Sequence, residues 1–92
     1  MKNERRTQYE IYWEILIFCK KSRSFTAIIH RCDLNSKTGQ GHIDFLVSKG
    51  YLLKDIKEGK SSYVATERAR EYIDLFTQLY QKLFDTVPIF KL

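Results

Sequence analysis

The chain has 92 residues, of which 43% are apolar and 14% aromatic, and its formal net charge is +5. This composition indicates one folded domain with a single core and excludes an intrinsically disordered chain. No apolar run approaches the roughly 20 residues that span a bilayer, and the first ten residues lack the apolar segment of a secretory signal. We therefore expect a cytoplasmic protein with no membrane partner, in which two cysteines are too few for a disulfide framework.

The excess positive charge is confined to the first 64 residues. Residues 1–35 contain seven Lys and Arg against four Asp and Glu, residues 36–64 contain five against three, and residues 65–92 contain four of each. A basic N-terminal part and a neutral C-terminal part indicate separate roles, and a polyanion such as nucleic acid is the natural partner of the basic part. Charge alone is equally compatible with a protein whose basic surface serves only solubility.

Two helices are predicted in the first third of the chain. Thr7 and Glu10 have the spacing of a capping box, and the helix that they begin should end near Lys20 or Lys21. Its apolar residues leave only a narrow polar stripe, so we expect burial on more than one side. Ser24 should cap a short second helix. Four residues of that helix have the spacing of an inward face: Phe25, Ile28, Ile29 and Cys32.

A third helix should follow a tight turn at residues 33–35, with Asn35 or Ser36 as its cap and its end near Ser48. A rotation of about 100° per residue places Gly39, Ile43 and Leu46 towards the core. It places five residues outward: Lys37, Gln40, Gly41, Asp44 and Ser48. We expect Gly39 to permit a close crossing of the second helix, and Gly41 to permit close approach of a ligand. Alternatively, both glycines are merely poor helix residues at a frayed helix start.

After Gly50 the residues favour strands, and the segment from Lys57 to Lys60 reads as a hairpin turn. Thr66 should cap a last helix that Pro88 stops. The order of helix, helix, turn, helix, hairpin and helix predicts an α+β fold, mostly α, of the winged helix-turn-helix type, with a two-stranded wing and a long C-terminal helix. We expect residues 1–65 to form the winged part and residues 66–92 to form a dimerisation helix and short tail of the same domain.

Three segments have a familiar pattern: the opening helix "YEIYWEIL", the helix end "LVSKGYL" and the strand-to-helix segment "YVATERAREYIDLF". On these segments the chain, from about Arg6 to Asp85, resembles the small archaeal winged-helix DNA-binding proteins that end in a dimer-forming helix. The resemblance implies a homodimer that binds double-stranded DNA. The third helix differs from the family in beginning with the small residues "SKTGQG".

The predicted DNA contacts are concentrated at the start of the third helix. Ser36, Thr38 and the first backbone N–H groups would bind phosphate, Lys37 would add charge, Gln40 could pair with adenine, and Gly41 would allow close approach. Six further residues on the wing and an N-terminal arm would contact flanking phosphates or a minor groove: Lys54, Lys57, Lys60, Ser61, Arg5 and Arg6. With so few base-reading side chains, we expect low or moderate sequence specificity.

The last helix has apolar residues at steps of three and four, which is the pattern of a coiled-coil seam. We expect six residues to form a two-fold homodimer interface, with help from Ile89 and Phe90: Tyr72, Phe76, Leu79, Tyr80, Leu83 and Phe84. The alternative is that this helix folds back over the first helix of its own chain.

The sequence contains no glycine-rich phosphate loop and no nucleophile motif, so we expect neither an enzyme nor a cofactor or small-molecule ligand. His30, Cys32, Cys19 and His42 could supply four zinc ligands, but both cysteines lie at core positions, so we expect no metal. The leading hypothesis is a dimeric DNA-binding protein, either a transcriptional regulator or a nucleoid component. The alternative is a winged-helix module that binds protein and not DNA.

Overall fold

A computed structural model of the chain describes residues 6–88. The elements in chain order are α1 (Gln8–Phe18), β1 (Arg23–Ser24), α2 (Phe25–Arg31), α3 (Ser36–Ser48), β2 (Leu52–Lys57), β3 (Lys60–Ala65) and α4 (Glu67–Phe84). Within these residues, no helix has the length and apolar character needed to cross a membrane. The predicted roles of Arg5, Ile89 and Phe90 lie outside the described residues.

The predicted helix starts are confirmed, but Thr66 at the start of α4 makes no side-chain cap and donates instead to the carbonyl of Gly50. Thr7 and Glu10 form a complete capping box at the start of α1. Ser24 accepts the backbone N–H of Ala27, and Asn35 rather than Ser36 caps α3 by accepting the N–H of Thr38 at 3.0 Å. Each side-chain acceptor satisfies a backbone donor that has no partner within its own helix. Asn35 thus fixes where α3 begins.

The first helix ends at Phe18, so the predicted end at Lys20 or Lys21 is wrong. The carbonyl of Cys19 accepts the backbone N–H of Ala65 at 2.8 Å, which joins the end of α1 to β3. The chain then turns so that Arg23 and Ser24 pair with β3 as a third strand. This strand is absent from the prediction because two residues are too short to show an alternating pattern.

The sheet is antiparallel with the order β1-β3-β2. Strands β2 and β3 form the predicted wing, with a register that runs from Leu52 opposite Ala65 to Lys57 opposite Lys60. Glu58 and Gly59 form the connecting loop, and both have positive φ, at 53° and 76°. This is the backbone that a two-residue hairpin loop requires, so the turn is confirmed with glycine in one of its two left-handed positions.

The core lies between the helices and one face of the sheet. Its largest fully buried side chains come from every helix before the wing and from β2: Ile15, Leu16, Cys19, Ile28, Cys32, Ile43, Leu46 and Leu52. Burial raises the pKa of both the Cys19 and Cys32 thiols to about 12, so both stay protonated at neutral pH. Among residues 6–88, no group of three or more His, Cys, Asp or Glu side chains is placed to hold a metal ion.

Candidate nucleic-acid interface

The two glycines of α3 lie in opposite environments. Gly39 is buried, and a Cβ added there would lie 2.1 Å from Cδ1 of Ile29 in α2 and 3.4 Å from Cβ of Leu34. A Cβ added at Gly41 would have no atom within 4 Å. The predicted close crossing of α2 and α3 at Gly39 is therefore confirmed, and Gly41 faces open space on the outward side of α3.

The first turn of α3 presents Ser36, Lys37 and Thr38 at the surface. The Asn35 side chain accepts the N–H of Thr38, and the Asn35 carbonyl accepts the N–H of Gly39 at 2.7 Å. The N–H groups of Ser36 and Lys37 belong to the helix start, where no intrahelical acceptor is available. Two hydroxyls, one ammonium group and a positive helix end are therefore all exposed at the start of α3, which suits phosphate oxygens.

A groove of about 590 Å³ separates α3 from the wing. It is lined by residues from three parts of the chain: Ser24, Phe25, Thr26, Gln40, Lys54, Lys60, Ser61 and Tyr63. Four of these are predicted site residues, and the groove brings them together: Gln40, Lys54, Lys60 and Ser61. The contribution of residues 24–26 is missing from the prediction because it depends on β1 docking beside β3. The sequence around Ser24 predicts a helix cap, but nothing in it predicts that Ser24 lines the groove beside the wing.

The end of the wing concentrates positive charge. Lys57 and Lys60 are exposed and lie directly opposite each other in the β2–β3 register. Like charges in a cross-strand pair destabilise a hairpin by a few tenths of a kcal/mol up to about 1 kcal/mol. Ile56, beside them, is 62% exposed, and alternation along β2 places it on the same face as Lys54. The wing therefore offers an apolar contact within a basic surface, a feature absent from the predicted site.

The structure does not place Arg6 on a free N-terminal arm, because its side chain is bonded to α1 and to the turn after α2. Its guanidinium forms an ion pair with Glu14 of α1 and donates to the carbonyls of Cys32 at 2.8 Å and Asp33 at 3.2 Å. Only 12% of the side chain is exposed. Arg6 therefore stabilises the end of α2 and the turn into α3. The acceptors are 26 and 27 residues away in sequence, so local pattern gave no sign of them.

Aromatic side chains hold α3 against α1. The Tyr12 ring stacks on Phe45 with centroids 5.3 Å apart and meets His42 edge-on at 5.4 Å. Burial, and then the positive charge of Arg6, lower the pKa of His42 below its ordinary value of 6.5. A neutral imidazole is therefore favoured at this contact.

The two ends of α4 differ in what they contact. Near its start, Tyr72 donates a hydrogen bond to the carbonyl of Tyr9, and Phe76 lies 6.0 Å from the Trp13 ring. The alternative, that the helix folds back over α1, therefore describes this half. Further along, the side chains of Leu79, Leu83 and Phe84 are 55%, 64% and 61% exposed.

An apolar groove of about 450 Å³ runs between this exposed end of α4 and the start of α1. All six predicted interface residues line it: Tyr72, Phe76, Leu79, Tyr80, Leu83 and Phe84. Leu75 of α4 also lines it, and Thr7, Tyr9 and Glu10 at the start of α1 complete it. This groove has no lining residue in common with the groove beside the wing.

Three helices, a hairpin wing and a further helix define a winged helix-turn-helix protein. The chain matches the family described as winged helix-turn-helix over residues 5–84, and it belongs to that family. An uncharacterised protein of Methanocaldococcus jannaschii is 31% identical over 78 residues, which cover 84% of this chain and 73% of that protein. The predicted α+β winged fold is thereby confirmed.

Two solved structures have folds similar to that of this chain. Sso10a-2, a DNA-binding protein from Sulfolobus solfataricus, is similar with a TM-score of 0.76 and 25% identity, over 87% of each chain. The homodimeric winged helix-turn-helix DNA-binding domain of Mb0332 from Mycobacterium bovis has a TM-score of 0.67 and 18% identity, over 80% of this chain and 71% of that one. The expected resemblance to small archaeal winged-helix DNA-binding proteins is confirmed by the first.

Proposed function

We propose that this protein binds double-stranded DNA through α3 and the wing, as a homodimer that acts in transcriptional regulation or in the nucleoid. The observation that carries the proposal is the groove where Gln40 of α3 meets Lys54, Lys60 and Ser61 of the wing. A helix and a basic hairpin that flank one groove are the two parts with which winged helices contact a duplex.

Phosphate contacts supply most of the proposed affinity. Lys37 with the hydroxyls of Ser36 and Thr38 would contact one strand at the start of α3, and Lys57 with Lys60 would contact a flanking segment. Gly41 leaves the outward face flat, so that the helix backbone can approach the duplex. Gln40 is the single side chain on this face suited to a bidentate base contact, which supports low or moderate sequence specificity.

The homodimer would form through the exposed end of α4. Leu79, Leu83 and Phe84 are more than half exposed beside an apolar groove, and monomeric proteins rarely leave such a contiguous patch uncovered. Residues 65–92 carry equal numbers of positive and negative side chains, so two copies can approach without net repulsion. Because Tyr72 and Phe76 already pack on α1 and its neighbours, we assign them to the base of the interface and the three exposed residues to its centre. The homodimeric Mb0332 domain has the same fold.

A duplex gel-shift titration at several salt concentrations, with random and genomic fragments, tests DNA binding. We expect retardation that weakens steeply as salt rises. Lys37→Ala should weaken binding about equally on all sequences and lower the slope of log affinity against log salt by about one unit. Lys82→Ala, which removes an exposed lysine from α4, is the matched control and should leave both quantities unchanged. Absence of retardation at low salt would contradict the proposal.

The second candidate is a winged-helix module that binds another protein and not DNA. The exposed apolar end of α4 favours it, because that surface would suit a different chain as well as a second copy. The same titration separates the two, since a protein-binding module should retard no duplex in a salt-sensitive manner. DNA binding would place the protein in the nucleoid, and the proposal includes no cofactor, small-molecule ligand or membrane partner.

A further inference from the structure

We infer that Asp44 is a positioning residue that makes Gln40 present one fixed hydrogen-bonding pattern to DNA and thereby favours adenine over guanine. The inference rests on the proposed function. The two residues lie one turn apart on α3, and Nε2 of Gln40 donates to Oδ1 of Asp44 at 2.8 Å.

The chemistry of the pair determines which way the Gln40 amide points. An ionised carboxylate can only accept hydrogen bonds, so it can bind the NH₂ end of an amide but not the carbonyl end. A free glutamine side chain has a nearly two-fold terminal torsion and can turn either end outward. Asp44 removes that choice, because turning the amide over would place two acceptor oxygens against each other.

One N–H of Gln40 is occupied by Asp44, which leaves the second N–H and the carbonyl oxygen for a ligand. This donor and acceptor match the N7 acceptor and N6 donor of adenine in the major groove. Guanine presents two acceptors there, O6 and N7, and would need both N–H groups of the amide. With one N–H committed, Gln40 cannot satisfy guanine. Discrimination therefore depends on Asp44 even though Asp44 need not touch a base.

The position of Gln40 makes this pattern relevant to the groove. Gln40 is partly buried and lines the space between α3 and the wing, whereas Asp44 is exposed one turn further along the outward face. Asp44 also adds a negative charge near the proposed path of the phosphates, which lowers affinity for every sequence. The pair therefore exchanges some general affinity for discrimination at one base pair.

The test uses Asp44→Asn, which has nearly the same shape and can still bond to Gln40. An asparagine side chain offers both a donor and an acceptor, so either orientation of the Gln40 amide becomes possible. A preferred duplex is first selected from a random library with the wild-type protein. Affinities are then measured for matched duplexes that carry A·T or G·C at each position in turn, by fluorescence anisotropy at fixed salt.

For the wild-type protein we expect one position where A·T is preferred over G·C by at least about fivefold, the lower end for a good bidentate contact. Asp44→Asn should bring this ratio close to one and raise affinity for all duplexes. Gln40→Ala should also remove the preference, and adding Asp44→Asn to it should change affinity but not the ratio. Asp55→Asn, which neutralises an exposed carboxylate on β2, is the matched control and should leave the ratio intact.

The outcomes separate the inference from the proposed function. A wild-type protein that binds duplexes with no adenine preference, or an Asp44→Asn variant that keeps the wild-type ratio, overturns the inference alone. A wild-type protein that binds no duplex overturns the proposed function and the inference with it. An unchanged thermal midpoint for Asp44→Asn would show that a loss of preference does not come from unfolding.

Discussion

Helices α3 and α4 each turn one side away from the core, and the two outward sides are built in opposite ways. The start of α3 is nearly bare, with Gly41 and the short side chains of Ser36 and Thr38 around a single lysine. The end of α4 is crowded with large apolar side chains that water covers poorly. A helix that met only solvent would have neither feature, because glycine weakens it and exposed leucine costs free energy. The contrast indicates two different contacts, one with a surface that needs close approach and one with an apolar partner.

The largest effect should come from a charge placed in the centre of the exposed α4 surface. Leu79→Glu should convert a homodimer of about 22 kDa, twice the chain mass, into a monomer, whose mass would be near 11.0 kDa. If both copies contact one duplex, the loss of the second contact should lower DNA affinity about hundredfold or more. Light scattering at micromolar concentration measures the mass, and anisotropy measures the affinity.

Gln78→Glu is the matched control, because it adds the same charge at an exposed polar position next to Leu79. It should leave both mass and affinity unchanged. A wild-type mass near that of one chain, unaltered by Leu79→Glu, would contradict the homodimer. It would also show that the exposed end of α4 has no apolar partner of its own kind.

The next effect compares the two glycines within α3. Gly39→Leu should lower the free energy of unfolding by about 1–3 kcal/mol, because its Cβ would displace the end of the Ile29 side chain and the rest of the leucine would overpack the contact between α2 and α3. Gly41→Leu should leave stability unchanged or raise it by up to about 1 kcal/mol through better helix propensity. Urea unfolding monitored by circular dichroism measures both, and equal effects at the two positions would contradict the assigned environments.

Gly41→Leu should lower the affinity for DNA rather than the stability of the fold. A leucine side chain would hold the start of α3 away from the duplex, and we expect affinity to fall about tenfold, as for the loss of one good base contact or a few phosphate contacts. Ser48→Leu adds the same side chain in the last turn of α3, beyond the proposed contact, and should have little effect. Anisotropy titrations of the two variants in parallel would show whether the bare surface serves close approach.

The smallest effect should be a dependence of stability on pH through His42. Because its pKa is lowered in the folded state, the unfolded chain binds the proton more readily as pH falls below about 6.5, and stability is lost in that window. His42→Gln should therefore lose less stability between pH 7.5 and about pH 5 than the wild-type protein does. Denaturant unfolding at both pH values tests this, and parallel losses in the two proteins would show that His42 contributes nothing.

The sequence predicts well what depends on neighbours along the chain. Helix phase placed Gly39, Ile43 and Leu46 inward, and capping residues located three helix starts. Prediction from the sequence fails where a structural feature depends on a contact between residues that are far apart along the chain. Strand β1 exists only because β3 lies beside it, and Arg6 is held by carbonyls of the α2–α3 turn in addition to Glu14. The groove at α3 could be predicted in part, because Gln40 and the wing lysines carry recognisable chemistry while residues 24–26 do not.

The opposed lysines at the end of the wing have a consequence for how salt acts on this molecule. Lys57 and Lys60 repel each other across the hairpin, and dissolved ions screen that repulsion. Added salt should therefore tighten the hairpin, so that its backbone amides exchange more slowly with deuterium, while the same salt weakens attachment to a polyanion. A bound phosphate chain would relieve the repulsion as salt does, and wing order and binding would then be thermodynamically linked. At low salt concentration the free protein would therefore have its most loosely ordered wing, although it would bind a polyanion most tightly there.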